Sequence, residues 1–306
     1  MTTRALDVVT ILHALQTLHD ELQTTGWHAK NPQQQQIFIW LEEIRETLAR
    51  ITGLEAKASR FWKDLNTFLA QRGFDPLVEP FDPDYGLGVV SVLDKLVRWL
   101  NGPGEIVALQ TEHGGRAGFE LPSNGVNIYE VEGYNEAYLL QLLTQSDDTL
   151  WLFTYQDTSL ESLDLVKLAM NVMNKPRKTP MRKYRHSEGE YPVFAGARVP
   201  MVDFNIKPDL GFLLEAETTT KNGDHYTIVQ AAQQYKFRMN ETGARVRVAT
   251  DLVVFKTMPI REEPVVFEVK RPFYGWWTQG SIDLPMAAFF ADWDAFRKPE
   301  GALKAL

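Results

Sequence analysis

The sequence predicts an α+β fold with a mainly antiparallel sheet. Up to about residue 100, apolar side chains recur every three or four residues, which is typical of helices. From about residue 105, short apolar or alternating runs are separated by turns, which is typical of strands. Helices followed by strands favour α+β over repeated β-α-β units. We expect one domain (1–306), with a mostly helical part (1–100) and a mainly β part (101–306).

Five stretches have helical spacing. Asn31 and Pro32 precede the second as a cap and a first helical residue. Residues 73–88 contain three prolines and three glycines, so we expect a connector there rather than a helix. The helical stretches cover residues 8–22, 37–48, 61–69, 89–100 and 160–172.

The candidate strands are rich in β-branched and aromatic residues. Residues 146–148 separate two of them and predict a hairpin turn. The candidates are residues 105–110, 116–121, 128–131, 138–143, 150–155, 202–206, 235–239, 245–255, 265–269, 273–277 and 286–291.

Composition narrows the class of protein. The net charge of −8 makes nucleic acid an unexpected main partner. The chain has no cysteine, which excludes disulfides, thiolate metal sites and cysteine nucleophiles. It shows no apolar signal core and no apolar run of membrane-spanning length. We expect a soluble, cytoplasmic protein without a membrane partner.

The usual catalytic signatures are missing. The six histidines form no metal-ligand pattern, and no glycine loop suited to phosphate is present. Residues 112–115 could form an oxyanion-holding loop, but a turn is the simpler interpretation. We expect no catalytic residues, no metal and no cofactor. An uncharacterised hydrolase is the last of the alternatives.

A basic cluster follows the fifth helical stretch. It could bind a polyanion, but in an acidic chain with one interleaved aromatic residue it predicts a solvated surface segment. Its members are Lys175, Arg177, Lys178, Arg182, Lys183 and Arg185.

Residues 240–259 are the most informative segment. Glu241 to Gly243 suit a turn, after which side chains alternate strictly. Small or β-branched residues on one face oppose Arg245 and Arg247 on the other. The segment could be an ordinary strand, yet the alternation also suits a loop that enters a sheet. The first face carries Ala244, Val246, Val248 and Thr250.

Four stretches in order resemble serpins, the serine-protease-inhibitor family. Residues 199–206 resemble the family's Leu-Pro-Lys-Phe strand, and 228–243 resemble the segment entering its hinge. Residues 267–273 resemble the Phe-x-Ala-Asp-Arg-Pro-Phe marker after its reactive loop, and 138–154 resemble two of its paired strands. More faintly, 61–109 resemble the stretch around the helix that covers the main sheet.

The resemblance implies a mechanical function. A protease cuts an exposed loop, and the freed segment inserts as a strand into the main sheet. The expected hinge is Glu241, Gly243, Ala244, Val246, Val248 and Thr250. Glu241 falls where the family has a structural acid. Spacing puts the bait bond at Lys256–Thr257 or Thr257–Met258, which suits a trypsin-like protease or one that prefers small residues.

The chain also departs from the family pattern. It lacks matches to a helix motif and to the central-strand motif, and Gln233 replaces a histidine. The alternative is therefore a non-inhibitory serpin-like scaffold, in which cleavage at Asp251 or Lys256 switches binding of a partner protein. A third possibility is an interaction module unrelated to serpins, with residues 245–255 at a sheet edge.

Overall fold

The computed structural model describes residues 2–183, 190–244, 265–280, 282 and 284–299. Its first part contains β1 (Arg4–Asp7), α1 (Val8–Leu22), β2 (Thr24–His28), α2 (Pro32–Leu48), β3 (Leu54–Ser59), α3 (Trp62–Gln71), β4 (Gly88–Leu93) and β5 (Val97–Arg98). The middle part contains β6 (Glu105–Thr111), β7 (Gly114–Pro122), β8 (Val126–Val131), β9 (Tyr138–Leu142), β10 (Asp148–Phe153), α4 (Leu163–Met173), β11 (Arg177–Lys178), β12 (Met181–Lys183) and β13 (Glu190–Pro192). The last part contains β14 (Phe194–Pro200), β15 (Val202–Ile206), a 3₁₀ turn (Gly211–Leu213), β16 (Glu217–Thr220), β17 (His225–Thr227), β18 (Tyr235–Met239), β19 (Gly243–Ala244), β20 (Val265–Glu268), β21 (Phe273–Gln279), β22 (Ala287–Ala291) and a 3₁₀ turn (Trp293–Ala295).

Side-chain caps start the first two helices. The Asp7 carboxylate accepts a hydrogen bond from the Thr10 amide at the start of α1. Asn31 does the same for α2 through the Gln34 amide, and Pro32 is the first helical residue. The predicted start of the second helix is therefore confirmed.

The two largest sheets among the described residues are mainly antiparallel. A seven-stranded sheet has the order β1-β22-β21-β10-β9-β8-β11, and it contains the predicted hairpin between β9 and β10. A four-stranded sheet has the order β20-β14-β7-β6, in which β14 and β20 are parallel. The α+β class with mainly antiparallel sheets is confirmed.

The main core lies between the seven-stranded sheet and the β15–β18 pair. Phe237 and Phe289 pack with ring centroids 4.6 Å apart, and Phe204 contacts both rings. Gly275 makes room, because a Cβ there would lie 2.3 Å from the Phe289 ring. Close aromatic packing therefore fixes β18 against the sheet behind it.

The helix expected over residues 89–100 is wrong, because β4 and β5 lie there. Val90 and Val92 are buried against Leu65 and Leu69 of α3, and Ser91 between them is less buried. The valines favour extended backbone, so the leucines at helical spacing mislead.

The first hundred residues are also less helical than expected, since they contain five strands. Some pair with distant partners: β1 with β22 and β2 with β16. Among the described residues, no helix has both the length and the apolar character needed to cross a membrane.

Candidate functional site

An open gap separates β4 from β18. β4 pairs with β3, and β18 pairs with β15 from Val202↔Met239 to Ile206↔Tyr235. Within the described residues, no strand pairing joins β4 to β18. Both strands line one cavity of about 610 Å³, which we call the gap. Its two facing strands therefore have backbone groups without a strand partner.

Helix α1 lies under the gap and is tied to both sides. On the β4 side, His13 Nδ1 lies 3.0 Å from Ser91 Oγ. Burial lowers the pKa of His13, which favours the neutral ring in this bond. On the β18 side, Gln233 binds the start of the helix. Ile11 and Leu15 present apolar surface to the gap between these ties.

Gln233 is a buried clamp on α1. Its Oε1 accepts a hydrogen bond from the Asp7 amide at 2.9 Å, and its Nε2 donates to the Asp7 carbonyl at 2.9 Å and to Thr10 Oγ1 at 3.0 Å. Gln233 stands where the serpin resemblance expects histidine. A neutral side-chain amide therefore connects the segment before β18 to the start of α1.

Asp7 is an unusual acid. It is 8% exposed and lines the gap, and burial raises its pKa to about 7 despite the helix-capping hydrogen bond. Tyr235 also lines the gap; burial and then the nearby Asp7 charge raise its pKa well above its usual value. The inner end of the gap therefore combines a carboxyl and a phenol.

The connector, residues 72–87, lies over the gap and is fastened to the β18 side. Gln234 is central: its Oε1 accepts from the Asp75 amide at 2.9 Å, and its Nε2 donates to Asp75 Oδ2 and Asn205 Oδ1. Gln230 Nε2 donates to the Leu77 carbonyl at 2.9 Å. At its start the connector is joined to α3, which packs on β4. The hydrogen bonds from Gln234 and Gln230 therefore link the β4 side of the gap to the β18 side.

The predicted hinge begins at one end of the gap. Asn240 and Gly243 form a bridge that reverses the chain after β18, and β19 then pairs antiparallel with β5. The Trp99 indole donates to the Asn240 carbonyl at 3.0 Å and stacks on Phe119. A Cβ on Gly243 would lie 2.4 Å from the Val97 carbonyl oxygen, and its φ of +143° also favours glycine.

Glu241 lies in the turn before β19. Its backbone carbonyl accepts from the Gly104 amide at 2.7 Å, but its buried Oε2 has no hydrogen-bond partner. Met201, which aligns with the lysine of the Leu-Pro-Lys-Phe pattern, is fully buried.

The structure reaches only part of the predicted loop site. Glu241, Gly243 and Ala244 are in the turn and β19. The others lie outside the described residues: Val246, Val248, Thr250, Asp251, Lys256, Thr257 and Met258.

The basic cluster is only partly described. Arg177 lies over the Tyr129 and Trp151 rings, and Lys178 pairs with Glu130 at 3.2 Å. Lys175 is exposed, Arg182 and Lys183 belong to β12, and Arg185 lies outside the described residues. Two of its cations thus have partners within the protein.

The sequence did not predict several residues of the site. Trp99 and Asp7 were not singled out, and the connector was expected only as a linker. The β-branched valines at positions 89, 90 and 92 were a usable signal for the strand. No group of three or more potential metal ligands exists in the part of the chain that the structure describes.

Comparison with known proteins finds the architecture among serpins. No family model and no curated protein matches the sequence. Human thyroxine-binding globulin complexed with thyroxine aligns at a TM-score of 0.56 and 12% identity, covering 94% of this chain and 91% of that one. Serpin48 of the insect Tenebrio molitor aligns at 0.57 and 13%, covering 95% and 92%. The mouse protein-Z-dependent protease inhibitor aligns at 0.54 and 12%, covering 95% and 91%.

These similarities extend over nearly the whole of each chain, while sequence identity is low. The protein therefore has a divergent serpin-like fold. The resemblance inferred from the order of short motifs is confirmed at the level of the fold.

Proposed function

We propose that the protein is a serpin-like protease inhibitor. In this proposal a protease cleaves the loop at about residues 251–258, and the freed segment enters the gap as a strand. The protein is a mechanical trap and not a catalyst. One of the similar structures is that of a protease inhibitor, which supports this class.

The pairing of β19 with β5 carries the proposal. Gly243 pairs with Arg98 and Ala244 with Val97, antiparallel, at the end of the gap. If an inserted strand continued in the same register, the residues after Ala244 would run toward β4, and Thr250 would pair opposite Ser91. An entering strand would thus start from a pairing that already exists, and it would extend along the open edge of β4.

The two faces of the entering segment suit the two sides of the gap. Val246, Val248 and Thr250 share a face with Ala244 and would point toward the apolar surface of α1. Arg245 and Arg247 would point toward the connector. The connector has exposed carboxylates and no basic residue between positions 73 and 87; these acids are Asp75, Glu79, Asp82 and Asp84.

A protease panel tests the proposal. The protein is incubated with proteases of trypsin-like and small-residue specificity, then analysed by denaturing gel and thermal melt. Inhibition gives a covalent band of higher mass. Insertion gives a cut at 251–258 with a large rise in melting temperature. Absence of a preferred cut in this loop argues against any serpin-like function.

A matched pair of loop variants tests the insertion step. Val248→Arg places a charge on the face toward α1, and Ala249→Arg places the same charge on the opposite face. We expect Val248→Arg to abolish the rise in melting temperature after cleavage, while Ala249→Arg keeps it. Equal behaviour of the two variants contradicts strand insertion in this register.

The connector favours a second candidate, a non-inhibitory scaffold that cleavage switches between partner-binding states. The Gln234 and Gln230 hydrogen bonds hold the connector over the gap, and they oppose its widening. In that case the loop is cut cleanly, no covalent band forms and the melting temperature does not rise.

A further inference from the structure

The gap has the size and lining of a small-molecule site. Cavities of about 300 to 1,000 Å³ with mostly apolar walls and a few polar groups bind ligands in many proteins. This one measures about 610 Å³. Apolar side chains line it from α1, from the connector and from β4; they include Leu15, Leu18, Phe74, Leu77, Phe81 and Val90.

The polar groups at its inner end are not all used by the protein. Asp7 Oδ1 caps α1. The Gln233 side-chain nitrogen already donates hydrogen bonds to the Asp7 carbonyl and to the Thr10 hydroxyl. Among the described residues, Oδ1 is the Asp7 carboxyl oxygen that accepts a hydrogen bond of ordinary geometry, in a side chain that is more than nine-tenths buried; the Val9 amide and the Thr10 hydroxyl lie close enough to offset part of the rise of its pKa. Tyr235 faces the same space.

We propose that the gap binds an elongated apolar molecule with a primary ammonium group, such as a long-chain alkylamine, whose nitrogen contacts Asp7 and Tyr235. An ammonium supplies a donor to the second carboxyl oxygen of Asp7 and to the hydroxyl oxygen of Tyr235, and its charge stabilises the buried carboxylate. This site exists without loop insertion and is independent of the proposed function.

An anionic head group suits the gap less well. Three cations in its lining already have carboxylate partners: Arg72 with Glu55, Lys95 with Asp148 and Arg238 with Asp203. Lys236 Nζ donates a hydrogen bond to the Gly73 carbonyl and so fastens the connector. The charge of the inner end therefore selects an amine over a fatty acid.

The test compares three head groups on one chain length. Dodecylamine, dodecanoate and dodecanol are titrated below their aggregation concentrations, with calorimetry and thermal melts as readouts. We expect saturable one-to-one binding of dodecylamine, with the other two weaker by about tenfold or more. Equal binding of all three, or no saturable binding of the amine, overturns the proposal.

Three variants test whether the amine binds in the gap and contacts Asp7. Asp7→Asn keeps the helix cap and should weaken the amine by about tenfold while leaving dodecanol unchanged. Ala14→Trp fills the gap from α1 and should abolish binding of every probe. Glu46→Gln removes an exposed acid on α2 and should change nothing; loss of binding there means a general attraction of amines to this acidic protein and overturns the proposal.

Discussion

At the scale of single residues, Asp7 caps helix α1, but ionisation of its buried carboxyl destabilises the folded protein. Its carboxyl caps α1, but Gln233, Thr10 and Tyr235 surround it with neutral groups. Its pKa rises from 3.8 to about 7 on folding. Below pH 4 the group is neutral in both states, and its contribution to stability is fully present. As the pH rises toward 7 the unfolded chain ionises first, so that contribution is lost.

Asp7→Asn should therefore stabilise the protein in a pH-dependent way. The amide keeps the cap and cannot ionise. We expect a gain in unfolding free energy near zero at pH 4 and about 2 to 4 kcal/mol at pH 8. Urea denaturation across this range measures it. A gain of the same size at pH 5 and pH 8 would show that ionisation of Asp7 is not the cause.

Gly243 is the residue on which the start of β19 depends. Gly243→Ala should lower the free energy of unfolding by about 1 to 3 kcal/mol, because the new Cβ collides with the Val97 carbonyl. Gly133→Ala is the control, since Gly133 also has positive φ but open space around it. Equal losses in the two variants would mean that backbone strain alone, and not the β19–β5 contact, explains the effect.

The turn at Gly243 was predictable from the sequence, but the contacts of the residues around it were not. Alternation and the Gly243 turn are local properties, so they are readable without a structure. The open oxygen of Glu241, the Trp99 hydrogen bond to Asn240 and the burial of Asp7 depend on segments far apart in the chain. No local pattern contains that information.

At the scale of elements, the connector controls the gap through two glutamines of unequal burial. Gln234 is 7% exposed and makes three hydrogen bonds, whereas Gln230 is exposed and makes two. Gln234→Ala should cost about 1 to 3 kcal/mol, because it removes buried partners. It should also speed hydrogen exchange of the connector amides.

Gln230→Ala provides the graded comparison. Water replaces its exposed hydrogen bonds, so we expect a loss under about 1 kcal/mol and little change in exchange. If this variant loosens the connector as much as Gln234→Ala does, burial is not what makes the contact strong.

Whether a helix or strand could be predicted depends on whether nearby residues alone determine it. Helix α1 was predictable from its apolar stripe, α2 from its cap and stripe, and β15 and β18 from their alternation. β4 was not, because the leucines of residues 89–100 also fit a helix, and the burial of β4 comes from α3. The gap was beyond prediction, since it is defined by two strands that do not pair.

At the scale of the whole molecule, the two proposals place different occupants in one space. An alkylamine in the gap and a strand beside β4 would both contact α1 and the underside of the connector. If both proposals hold, they exclude each other, and the linkage between them is reciprocal. Dodecylamine should then slow the rise in melting temperature that follows loop cleavage, without slowing the cleavage itself.

The measurement separates the two steps. Cleavage is followed on denaturing gels, and insertion by the melting temperature of samples taken over time, with and without saturating dodecylamine. Dodecanol serves as the apolar control. Asp7→Asn should restore fast insertion in the presence of the amine, because it loses the ammonium contact. An amine effect that persists in Asp7→Asn would come from elsewhere on the protein, and slowed cleavage would mean that the amine acts on the protease or on the loop.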